Sequence, residues 1–211
     1  MYLPIRHCLC LLAFLALCKP GCAFDGVALV TAVDGEVVRQ VATGEEPVQV
    51  YSALKPGERL RFSSGGRLRL LYAKGGRQEL WSGSGDLEIE AGGVRAQGLA
   101  PPVVSMLALA TVRQILKMPI SDAQGQVSLV RLRSIPTPEA LARLEGDFRR
   151  LRTEAAADDL NPHLFLLAGL LEMREITRLE QALAELQMSH PGNVEAKLVV
   201  ALYRKAMRNL R

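Results

Sequence analysis

The chain has 211 residues, 49% hydrophobic and 23% charged, with 26 basic and 22 acidic side chains and a formal net charge of +4. That length holds one medium domain or two small ones, and the composition excludes fibrous, low-complexity and disordered classes. The small charge excess gives no argument for nucleic-acid binding, because two of the basic residues, Arg6 and Lys19, sit in a leader that contains no acid.

That leader is residues 1–23. MYLPIRH carries positive charge, CLCLLAFLALC is a short apolar run, and KPGCA ends in small residues before Phe24. This is the three-part layout of a secretory signal peptide, with cleavage expected after Ala23. The run is short for a membrane span, which needs about 20 apolar residues. A retained anchor is the alternative, as is lipidation. Lipidation fits poorly, since Leu17 precedes Cys18 and Lys19 stands three places before Cys22. All four cysteines (Cys8, Cys10, Cys18 and Cys22) lie in the leader. The mature chain is therefore expected to have neither disulfides nor a thiol nucleophile, and to be held by its core alone.

From Val27 to about Gln97 the pattern is alternation broken by turn residues. VALVTAV runs into Asp34-Gly35, a hairpin signal, and EVVRQV follows. VQVYSAL is a third strand, then Pro56-Gly57. RLRF, RLRLLY, RQELW and DLEIE come next, separated by SSGG, AKGG and SGSG. Short strands with glycine at every corner predict an antiparallel β-sandwich or barrel-like domain over 24–100.

The register of the arginine-rich strands follows from which side chains must be buried. With Leu60, Phe62, Leu68, Leu70 and Tyr72 inward, a first hairpin pairs Leu60 with Leu68 around Ser63-Ser64-Gly65. A second pairs Leu70 with Leu80 across Lys74-Gly75-Gly76. Arg59 then meets Arg69, Arg61 meets Arg67, and Arg69 meets Trp81 on the outer face. Arg59, Arg61, Arg67, Arg69 and Trp81 become the candidate binding residues, a cationic patch with one flat aromatic. The competing reading is a solvated face whose charge Glu79 helps to balance.

After Ala100 helical spacing takes over. Pro101-Pro102 precede VVSMLALATVRQILKM, read as a buried helix, and QVSLVRLRS at 126–134 is one more strand, so that 101–136 connects the two halves. Helices are expected at about 138–156, 162–173, 178–189 and 194–209, within an α-helical region of antiparallel hairpins over 137–211 that folds as a unit. Thr137 before Pro138 and Asn161 before Pro162 are cap-plus-proline starts. Thr177-x-x-Glu180 has capping-box spacing, Asn193 can cap the last helix, and Ile176, Leu179, Leu183 and Leu186 form an apolar stripe. The fold class is thus α+β, with sheet first and helices second.

Two resemblances sit on these residues. ALVTAVDGEV, SALKPGERLRF, SSGGRLRLLYAKGGRQEL and GDLEIE resemble a FecR-type extracytoplasmic β domain over about 27–90. That resemblance implies a sensing or binding module outside the membrane; the cytoplasmic segment and internal membrane helix of the regulators are lacking. Residues 160–205 resemble a tetratricopeptide repeat more weakly, through Phe165-x-x-Ala168-Gly169 and Pro191-Gly192-Asn193. Fewer than two units are present, against the three usually needed to bury a continuous core.

Residues with catalytic potential are sparse. His163 and His190 each stand beside a proline, read as exposed helix-end side chains rather than metal ligands. SGSGD at 82–86 reads as a tight turn, since Gly-x-Ser-x-Gly spacing is absent. Glu88 and Glu90 share a strand face without an assignable partner. The expectation is a non-enzymatic, cofactor-free binding or scaffolding protein of the periplasm or cell envelope. Its partner would be a protein or an anionic envelope polymer, with no nucleic acid and the membrane only as a neighbour. A FecR-related signalling component and a polysaccharide binder, the latter using Trp81 for stacking, are the rival functions.

Overall fold

The computed structural model describes residues 24–121, 127–128 and 137–210. The leader and most of the strand expected at 126–134 lie outside them. The fold is α+β: an eight-stranded antiparallel sheet curled into a half-barrel, followed by helices. The sheet strands are β1 (Ala28–Asp34), β2 (Val37–Val41), β3 (Gly44–Pro47), β4 (Ala53–Leu54), β5 (Arg59–Tyr72), β6 (Arg77–Glu90), β7 (Gly93–Gln97) and β8 (Val103–Met106). A short helix α1 (Leu109–Ile115) follows, then a two-stranded ladder of β9 (Ile120–Ser121) and β10 (Val127–Ser128). Helices α2 (Pro138–Glu154), α3 (Asn161–Glu172), α4 (Ile176–Ser189) and α5 (Val194–Arg208) complete the described chain.

Most of the glycines read as hairpin corners instead bend long strands. β5 is continuous across SSGG and β6 is continuous across SGSG. β1 and β2 do not pair with each other at Asp34-Gly35. Both run antiparallel to β5, β1 along its second half and β2 along its first, so the two behave as one long strand with a joint. The joints line up. Gly66 pairs with Gly83 and Phe62 with Gly85, with a register shift between Phe62 and Gly66. A Cβ on Gly66 would stand 3.0 Å from the Glu36 carbonyl oxygen, and one on Gly85 would overlap that of Gln97. Backbones thus approach more closely along this glycine line than side chains allow, and the sheet curls there.

The corrected pairing is Leu60 with Leu87 and Leu68 with Trp81. Leu60 and Leu68 lie on the same strand and cannot form a hairpin pair. The remaining hairpin closes over a four-residue turn, pairing Leu70 with Glu79 rather than Leu80. A slip of one residue reverses every side chain, so Glu79 and Trp81 face inward and Leu80 outward.

Two cores result, one on each face of the sheet. The concave interior holds Val30, Val37, Leu60, Phe62, Leu68, Leu70, Tyr72, Trp81, Leu87 and Ile89. The convex face contributes Leu29, Leu71 and Tyr51 to a second core with α1 and the helices. α3 lies at its centre and is buried along nearly its whole length. Leu179, Leu183 and Leu186 of the predicted stripe are buried there.

Local signals hold unevenly. Thr137 caps α2 by accepting from the Ala140 amide at 3.2 Å, and Asn193 caps α5 through the Ala196 amide at 2.8 Å. Asn161 is not a cap. It is the first residue of α3, and its side-chain amide donates to Gln78 Oε1 at 3.0 Å, tying helix to sheet. The capping box at Thr177 does not form, because α4 starts at Ile176. The helix expected from Val103 is shorter: Val103–Met106 pair with β6 and only Leu109–Ile115 coil. Two β-branched residues after a proline pair favour the extended form, and β6 offers an open ladder. VQVYSAL is strand only at Ala53–Leu54.

Candidate binding surfaces

The four arginines do not face one another. Because β5 is one strand, Arg59 and Arg69 lie roughly 30 Å apart along it. Their cross-strand neighbours at the Arg59 end are acids. Arg59 stands opposite Glu88 and reaches it at 3.5 Å. Arg61 stands opposite Asp86, at 3.3 Å, and bonds Glu45 of β3 at 2.8 Å. Arg95 of β7 pairs with Glu90 at 2.6 Å. This end of the face is a lattice of alternating charges, which removes the like-charge cost the predicted register carried. Arg67 is exposed, opposite Ser82. Arg69 is half-buried in a cleft of about 190 Å³ between sheet and helices, together with Asp158, Asp159 and Glu195.

Trp81 is not on that surface. It is 6% exposed inside the half-barrel, opposite Leu68, and Arg69 pairs with Leu80 instead. Its indole Nε1 donates to Glu79 Oε2 at 2.9 Å. Glu79, 4% exposed, also accepts from the Tyr72 hydroxyl at 2.5 Å and pairs with Arg77 Nε at 3.2 Å. The Arg77 guanidinium lies 4.5 Å from the centre of the Tyr72 ring. Burial, and then the bond to Glu79, raises the Tyr72 phenol well above its ordinary pKa and keeps it a donor. Arg-x-Glu-x-Trp on one strand face is the sequence signal for this cluster, visible only once the register is right.

His163 is buried, not exposed. Its ring lies 5.5 Å from Phe148 and 5.3 Å from His190, edge-on to both, and its Nδ1 has no hydrogen-bond partner among the described residues. His190 Nε2 donates to the Ala157 carbonyl at 3.1 Å, and Arg152 reaches the same carbonyl at 3.5 Å. Burial first, then the neighbouring His190 and Arg152, lower the His163 pKa from 6.5 to about 4. The fold therefore holds the ring neutral while the unfolded chain protonates below about pH 6.5. Stability from this group is complete above that pH and is lost as pH falls toward 4, by about 3 kcal/mol in all. Urea unfolding at pH 7.5 and 4.5 should show His163→Leu losing about 2–3 kcal/mol less than the parent over that range. Equal losses would show that the histidine is not held neutral.

A groove of about 430 Å³ lies between α4 and α5 in the helical half. Leu183 and Met207 line its apolar part, and Glu180, Arg204 and Arg208 its polar part. It lies where the two consecutive helices pack together, with Arg204 and Arg208 following one another at i and i+4 on α5. Arg204 donates to the Gln187 side chain at 3.5 Å. Sequence periodicity points to a helical hairpin without naming the groove residues, since the α4–α5 crossing is set by packing.

None of the described helices is long and apolar enough to cross a membrane, and no group of three or more metal-ligating side chains occurs among the described residues. No family model, curated protein or solved structure matches the chain.

Proposed function

We propose that this is an exported, non-enzymatic binding or scaffolding protein of the periplasm or cell envelope that holds a partner protein in the α4–α5 groove. The observation that carries the reading is the groove itself, where half-buried Met207 and the edge of the buried Leu183 lie beside Arg204, Arg208 and Glu180. An amphipathic segment with acidic residues flanking its apolar face complements it. The FecR-like β module and the repeat-like hairpins agree with a binding role outside the membrane. The signalling reading uses the same surface with a membrane partner. The polysaccharide reading loses its stacking group, because Trp81 is buried.

Two measurements test this. Intact mass of the protein recovered after export should place its N-terminus at Phe24 and show no reactive thiol; a retained leader or a lipid-sized increment refutes the export assignment. A benzophenone amino acid at Arg204, in cells, should give a discrete protein adduct that the same group at Gln40 does not. Met207→Asp should reduce that adduct at least tenfold. Equal labelling at both positions, or indifference to Met207→Asp, would remove the groove from the account.

A further inference from the structure

We propose that β8 is a self-association edge, at which two copies of this chain pair antiparallel about a two-fold axis at Ser105. This is independent of the α4–α5 groove.

β8 pairs with β6 on one side only. The Leu107 amide bonds the Gly76 carbonyl at 2.8 Å, which fixes the phase of the ladder. Residues 103, 105 and 107 then bond toward β6, and the N–H and C=O groups of Val104 and Met106 point to the open edge. No described residue bonds them from that side. The side chains match this vacancy. Val103 is 70% exposed, Val104 52%, Met106 66%, and Leu109 just beyond is 48% exposed. Edge strands usually carry charge or proline against such pairing. β3 does, as Gly44-Glu45-Glu46-Pro47, and β7 carries Arg95. From Ala96 to Val112 there is no charged residue, and the prolines end at Pro102, ahead of β8.

The absence of charge argues for the occupant. A charged partner strand would gain no counter-charge here, whereas a second β8 brings four uncharged residues with matching free backbone groups. The outward phase of residues 104 and 106 dictates the register. Val104 faces Met106 of the other copy and Met106 faces its Val104, giving four backbone hydrogen bonds. Ser105 meets its own counterpart as the non-hydrogen-bonded pair, with Cα atoms about 4.5 Å apart. One four-residue strand from each copy makes a small contact, under the roughly 1,200 Å² of standard interfaces, so the dimer should be weak and concentration-dependent.

That register is directly readable by disulfide formation, which accepts Cα separations of roughly 4.4–6.8 Å. In the full chain with Cys8, Cys10, Cys18 and Cys22 changed to serine, Ser105→Cys should oxidise to a covalent dimer at least tenfold faster than Ser64→Cys, an exposed site elsewhere. Sedimentation velocity from about 1 to 300 μM should show the unmodified chain passing from monomer to dimer. Val104→Pro removes an N–H from the open edge and none from the β6 ladder, so it should weaken the dimer at least tenfold with an unchanged circular dichroism spectrum. The pair Val104→Lys with Met106→Lys should do the same by charge, and it decides the matter if the proline variant misfolds. A chain monomeric throughout that range, or a Ser105→Cys variant that crosslinks no faster than Ser64→Cys, overturns the proposal.

Discussion

Glu79→Ala is expected to lower the free energy of unfolding by about 3–5 kcal/mol, the range for removing one partner of a buried ionic group. The carboxylate is the shared acceptor for the Tyr72 hydroxyl at 2.5 Å and the Trp81 indole at 2.9 Å, and the counter-charge of Arg77 at 3.2 Å. Its loss leaves two donors in the interior of the half-barrel with no acceptor, and takes the counter-charge from Arg77, whose guanidinium is left over the Tyr72 ring. Each orphaned donor carries a desolvation cost of about 1–3 kcal/mol. Glu79→Gln keeps the shape and one acceptor oxygen, so it should fall between alanine and the parent. Replacing the set together, Glu79→Met with Tyr72→Phe and Trp81→Phe, removes the polar demands and should recover much of the loss. Urea unfolding followed by circular dichroism measures all three. In the single variants Trp81, the one tryptophan of the chain, reports locally, and its emission should shift to the red in Glu79→Ala. A loss under about 1 kcal/mol for Glu79→Ala would mean that the carboxylate is solvated and the cluster does not hold the sheet.

What can be read in advance divides along the range of the interactions. The order of sheet and helices, strand character over most of 28–97 and the spans of α2 to α5 are legible, because alternation and helical periodicity are local. Thr137 and Asn193 cap as their types predict for the same reason. Pairing is not legible. Gly-Gly between alternating runs is as compatible with a bend in a long strand as with a hairpin, and only the line of glycines across three neighbouring rows distinguishes the two. Reading SSGG as a corner brings Arg59 and Arg69 together, and the one-residue shift at the next turn puts Trp81 outside. The acidic partners Asp86 and Glu88 are in the sequence, yet they become partners only through the pairing of β5 with β6. His163 is misplaced because burial of α3 comes from α1, α2 and α4 together.

Tyr51→Ala is expected to cost about 3–5 kcal/mol, comparable to truncating other buried aromatics, and to do so for sheet and helices at once. Tyr51 lies in the segment between β3 and β4, fully buried, and its ring enters the helical core beside the buried Tyr203 of α5. Its hydroxyl donates to the Glu195 carbonyl in the first turn of α5 at 3.2 Å, and its amide bonds Val30 of β1 at 2.8 Å. The residue thus ties a sheet strand to the last helix. It holds this position at φ 62°, in the left-handed region, where a side chain costs about 1–2 kcal/mol. That strain gives the series an unusual order. Tyr51→Phe loses only the hydrogen bond, about 1 kcal/mol. Tyr51→Gly loses the ring but relieves the backbone, so it should be more stable than Tyr51→Ala by about 1 kcal/mol. Far-UV circular dichroism follows the helices and Trp81 emission follows the concave core. Both should move to lower urea together in Tyr51→Ala, because the convex core joins Leu29, Tyr51 and Leu71 to the helices. Helix signal lost well before the tryptophan signal would mean that the halves unfold separately, and an alanine variant as stable as the glycine one would remove the strain from the account.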